Sequence, residues 1–211
     1  MRRGDIGVKK RIKTIMILII SIFIVFSFNI VNAYDKKQDY AKEYKENIYN
    51  MAKIMRCIPK TGDISLDYLY EMALLSEAEV DFSEAYVRYA SNEEIKKIAQ
   101  VYVEREGAAL ENMKTVIERL KDNLQKNEEV EENYLKIYNE VLNEMICKFQ
   151  KVELTEDINI DFLKFIVIHH NGVIRLTEEF LKVSNNCEIK EIANKLNDEM
   201  KNDINIINKY I

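Results

Sequence analysis

Two stretches of this chain can be laid over each other without a gap. Asp63-Ile64 falls on Asp157-Ile158, Asp67 on Asp161, Leu69 on Leu163 and Glu84 on Glu178, at a constant offset of 94 residues. Asn92, Glu94, Ile95, Lys96, Ile98 and Ala99 fall in the same way on Asn186, Glu188, Ile189, Lys190, Ile192 and Ala193. Upstream, Tyr44 and Met51 fall on Tyr138 and Met145. Such a duplication constrains the fold, because each copy carries an apolar face that it cannot bury alone. Each copy reads as a helical hairpin, and two such hairpins close on one another as a four-helix bundle.

The helices follow from periodicity and from how few residues interrupt it. The chain has one proline and five glycines in 211 residues, which favours long helices and short connections. The first helix is predicted from Asp39 to Cys57 and ends at Pro59 and Gly62. The second runs from Ile64 to Ala90, capped by Asp63. The third runs from Asn92 to Leu124 and opens on a capping box, with the Ser91 oxygen accepting an N–H and Glu94 reaching back. An acidic stretch, Asn127 to Glu132, links the halves. Helix four is predicted from Glu131 to Lys151, helix five from Ile158 to Ser184, and helix six from Asn186 onward with a cap at Asn185. The expected fold is therefore all-α: an up-and-down bundle of helices two, three, five and six, with one and four flanking or connecting. Residues 34–126 form the first repeat and 127–211 the second, together one bundle domain.

Residues 1–33 are a different kind of sequence. Arg2, Arg3, Lys9, Lys10, Arg11 and Lys13 precede an apolar run from Ile15 to Phe28, and Val31-Asn32-Ala33 offers short residues for cleavage before Tyr34. This is the pattern of a secretory signal peptide, which places the protein outside the cytoplasm. An uncleaved membrane anchor is the alternative, since Ile12 to Val31 is nearly long enough to span a bilayer. Six of the 31 Lys and Arg and one of the 36 Asp and Glu lie in those first 33 residues. The remainder keeps 25 basic and 35 acidic positions, a formal net charge of −10. That charge argues against nucleic acid as a partner and gathers cations near the surface.

Motifs for catalysis are missing. There is no nucleophile elbow, no His-Glu-x-x-His and no Gly-rich phosphate loop. Ile166 and Val167 stand three residues before the histidines, where a di-iron oxidase needs Glu. No enzyme is predicted. Cys57, Cys147 and Cys187 have no metal-ligand spacing and are expected as buried core thiols. Cys57 and Cys187 fall at the same end of an up-down bundle, so they are the pair expected if any bridge forms.

The chemistry that remains is a histidine pair. His169 and His170 are the only histidines in the chain. They lie in the middle of helix five, which is apolar over most of its circumference: Phe162, Phe165, Ile166, His169, Val173, Leu176 and Phe180 make one row, and Leu163, Val167, His170, Ile174 and Leu181 another. A helix of that kind is enclosed by others. In the first copy the pair is replaced by Leu75 and Ser76, with Glu71, Met72, Glu77 and Glu79 around them. Adjacent helical residues point about 100° apart, so a metal ion held here needs a ligand from another helix.

Phe162 followed by His169-His170-Asn171-Gly172-Val173-Ile174 and a capped second helix resembles the ferritin-like domain-of-unknown-function family 305. Its signature is D-x-x-F…M-I-x-H-H-x-x-A-I-x-M-A. The resemblance covers Asp63 to Ile211 and implies a ferritin-like bundle of two hairpins, often exported, with copper bound through His and Met in some members. Where the signature has Met before the histidines this chain has Phe165 and Ile166, and Met72 is kept in the first copy. The expected site is a copper site on His169 and His170, which face the middle of the first copy, with Met72 as third ligand and a carboxylate of that copy as a further candidate, in a non-enzymatic metal binder. The alternative is a metal-free structural or interaction module of the cell envelope.

Overall fold

The computed structural model describes residues 36–58, 60–155 and 157–211. The leader read at residues 1–33 lies outside the described residues. Among the described residues, no helix is long and apolar enough to cross a membrane. The chain is all-helical there. Helix α1 covers residues 36–55, α2 Ile64–Tyr89, α3 Glu93–Leu120, α4 Glu128–Lys151, α5 Ile158–Val183 and α6 Cys187–Ile207.

Residues 40–211 make one compact unit, arranged in three layers. α2 and α5 run antiparallel through the middle. At one end Tyr68 Oη lies 3.0 Å from Thr177 Oγ1. At the other the Tyr86 ring stacks on Phe162, with centroids 4.2 Å apart. α3 and α6 cover one side of this pair and face each other, through Arg119–Glu188, Arg105–Asp203 and Tyr210–Glu94. α1 and α4 cover the other side. Tyr44 of α1 meets Phe82 and Phe165 edge-on, Phe149 of α4 stacks on Phe165 at 4.6 Å, and the Tyr138 hydroxyl donates to the Met55 carbonyl. Covered from both sides, α2 and α5 have to be apolar nearly all round. The two helices expected to flank or connect thus form an outer layer of their own.

Both central helices begin on the same hydrogen-bonded turn. Asp63 caps α2 by accepting from Ser65 N and Leu66 N, and Asp157 caps α5 by accepting from Asn159 N. Thr61 N donates to Asp67 Oδ1, and Thr155 N donates to Asp161 Oδ1, each at 2.9 Å. In the first turn Gly62 has φ +87°, a left-handed conformation that glycine adopts without penalty.

Several sequence expectations are corrected. The cap of α3 is Asn92, not Ser91, and that of α6 is Asn186, not Asn185. In each case the asparagine has the extended backbone that aims its side chain at the first free amides. α3 stops at Leu120 rather than Leu124. α4 starts at Glu128 because Asn127 caps Val130 N, so the acidic link is in fact a helical first turn, where negative charge is favourable. Cys57, Cys147 and Cys187 are all free and exposed: Cys57 follows the end of α1, Cys147 lies on the outer face of α4, and Cys187 opens α6. Neither core burial nor a Cys57–Cys187 bridge is found.

Candidate metal centre

The antiparallel packing of α2 and α5 sets His169 against its counterpart in the other copy. Its Nε2 lies 3.1 Å from the Leu75 carbonyl oxygen. A carbonyl only accepts, so Nε2 carries the proton, which leaves Nδ1 a lone-pair atom in the neutral ring. That Nδ1 lies 3.2 Å from Glu79 Oε2, another acceptor, and the two are not aligned as a hydrogen bond. Next to it, His170 Nε2 lies 3.1 Å from Glu79 Oε1, and His170 Nδ1 has no partner. Only a cation, a proton or a metal ion, reconciles an imidazole lone pair with a carboxylate oxygen at this distance.

Glu79, His169 and His170 are all fully buried, at 0% exposure. Each offers one coordinating atom, and the three atoms lie within 4.8 Å of one another. The ring centroids of the two histidines are 5.9 Å apart. The site therefore meets the requirement that a second helix supply a ligand, through Glu79 on α2. Burial by itself pushes the Glu79 carboxyl up, but His170 and His169 outweigh it and hold the group well below the usual carboxylate range. Glu79 is anionic in the fold.

A polar shell surrounds the three. Arg105 on α3 sits with Nη2 2.6 Å from Asp203 Oδ2 and 3.9 Å from Glu79 Oε1. Its Nε lies 3.0 Å from Glu106 Oε1, and the Ser76 hydroxyl donates to Glu106 Oε2 at 2.9 Å. Burial, followed by the charge on Glu79, pushes Glu106 up to about 7. The Tyr102 ring stands edge-on to His170 at 5.7 Å. Three carboxyl groups thus surround one guanidinium, so the pocket tends towards a negative excess that favours a cation.

Of the residues predicted from sequence, the structure brings His169 and His170 together and adds Glu79. Met72 lies elsewhere: its sulfur accepts from the Thr177 hydroxyl at 4.0 Å, and it stands two turns, about 10 Å, along α2 from Glu79. Glu77 is exposed. Glu71 is buried with Lys60 and Tyr134. Sequence reasoning missed Arg105, Glu106 and Asp203, although the two acids interrupt apolar stripes on α3 and α6. Imidazole nitrogen with carboxylate oxygen suits a divalent transition metal; without a thioether the preference for copper(I) is gone.

A family model described as Domain of unknown function (DUF305) matches residues 65–211. No curated protein and no solved structure matches the chain.

Proposed function

The chain belongs to the DUF305 family, and from the site it carries we propose that it is a non-enzymatic holder of one transition-metal ion outside the cytoplasm. The ligands are His169, His170 and Glu79. Copper is the metal this set favours, as copper(II), because affinity at N/O sites peaks there in the divalent series, with zinc as the nearest competitor. One observation carries the reading: three fully buried side chains bring one coordinating atom each to within 4.8 Å of one another, and two of the facing atoms, His169 Nδ1 and Glu79 Oε2, 3.2 Å apart, have no hydrogen-bond partner. The outward address rests on the leader read at residues 1–33. A holder rather than a catalyst fits the burial, since the cavities at α1–α2–α3, α1–α4, α3–α6 and α4–α5 are lined by none of the three ligands.

The rival is a metal-free module of the cell envelope, in which Glu79 and the histidines satisfy one another. It is favoured by the existing contact between His170 Nε2 and Glu79 Oε1. Titration of metal-free protein with copper(II), copper(I) and zinc separates the two. The proposal expects one tight copper(II) equivalent, lost in His169→Ala/His170→Ala and in Glu79→Gln. Weak binding that is equal in wild type and variants would establish the rival.

A further inference from the structure

The outer face of α1 carries a feature that the metal centre does not use. Between α1 and α4 lies a cavity of about 670 Å³, within the size range of small-molecule sites. Its apolar lining comes from Tyr44, Ile48 and Ala52 of α1, Ile146 and Phe149 of α4, and Leu154 beyond it. Lys45, Lys53 and Arg56 stand at its rim. With Tyr49, which is 68% exposed, they follow the spacing i, i+4, i+8, i+11 that keeps residues on one helix face. Lys45 to Lys53 alone spans about 12 Å of helix. No acidic side chain lines this cavity. Among the described residues, none of the three cations is in an ion pair, whereas the neighbouring Lys42 and Arg88 are.

The chain as a whole is acidic, with a net charge of −5, so three uncommitted cations along one apolar groove are a local reversal of charge. A similar cavity of about 630 Å³ on the other side of α1 has Glu77 and Glu118 beside Lys53 and Lys114, and its mixed rim has no such preference. We infer that the α1–α4 groove binds a single-chain amphiphile with an anionic head, a long-chain fatty carboxylate. The acyl chain lies on Ile48, Ala52, Ile146 and Phe149, the carboxylate accepts hydrogen bonds from the neighbouring Lys53 and Arg56 side chains, and Lys45, about 12 Å from Lys53 along the helix, adds to the positive rim. This site is independent of the metal reading.

The test is displacement of a dansyl-labelled fatty acid, below its micelle concentration, by palmitate. Wild type is compared with Lys45→Glu/Lys53→Glu/Arg56→Glu, in which only exposed side chains change. Hexadecanol and vesicles of anionic phospholipid serve as further competitors. The expected result is saturable binding at one site, weakened about tenfold or more by the charge reversal, with hexadecanol a poor competitor. A probe on Cys57, which borders the groove, should respond to palmitate in a Cys147→Ser/Cys187→Ser background. Absence of binding, binding indifferent to the charge reversal, equal competition by hexadecanol, or affinity for vesicles alone would each overturn the inference.

Discussion

Glu71 and Glu79 stand two turns apart on α2, and both are fully buried at 0% exposure. Their surroundings drive them in opposite directions. Glu71 meets the Lys60 ammonium at 2.6 Å and the Tyr134 hydroxyl at 2.6 Å. Burial outweighs those partners and pushes it from 4.5 up to about 7. Glu79 meets two imidazoles, which overcome the same burial and hold it below the usual carboxylate range, with the Arg105 guanidinium further off at 3.9 Å. The difference lies in the number and placement of the partners. Two neighbouring histidines on the facing helix hold a buried glutamate well below the usual carboxylate range, which one lysine at the edge of the core does not do for Glu71.

The largest effect is expected at Glu79. Glu79→Gln removes the anion from a buried cluster and leaves Arg105 and the histidines less well paired, which costs about 3–5 kcal/mol, read by urea denaturation of metal-free protein. Glu71→Gln tests the contrast through pH. As pH rises from about 4.5 to about 7, the unfolded chain releases this proton while the folded chain keeps it, so the native protein loses stability through that window. Glu71→Gln should therefore gain on wild type across that range and hold level above it, in denaturation midpoints at each pH. Glu106, also pushed up to about 7, keeps its own share in both proteins. For Glu79 the sign reverses: its contribution is present above 4.5 and is lost as pH falls below it, when the unfolded carboxylate takes up a proton that the folded one refuses. Tyr134→Phe should cost about 1 kcal/mol, the worth of one hydrogen bond to Glu71. Met72→Leu, a volume-conserving change costing under about 1.5 kcal/mol, should have the smallest effect on the site, with no loss of copper(II) in the titration.

The two glutamates also show what the sequence could reveal. The six helices were legible because breakers are scarce and the apolar rows run long; the caps on α3 and α6 slipped by one because Ser91 and Asn185 stand beside asparagines equally able to cap. The histidine pair was legible by residue type and by its place on an all-round apolar helix. Its partner was not, since Glu71, Met72, Glu77 and Glu79 all cluster opposite the blank in the first copy. Choosing Glu79 depends on the antiparallel register of α2 against α5, which fixes Leu75 opposite His169 and which no local pattern encodes. Glu106 and Asp203 left a readable trace: each occupies a position on its helix where the stripe calls for an apolar residue. Arg105, their partner, sits beside that stripe and is drawn inward by them.

The most direct test of a metal ion at Glu79, His169 and His170 is the anomalous difference map of crystals grown with copper, recorded at the copper edge. A single strong peak is expected between Glu79, His169 and His170, coordinated by both imidazoles. Peaks confined to surface carboxylates, with the two imidazoles still turned to Leu75 and Glu79 alone, would contradict it.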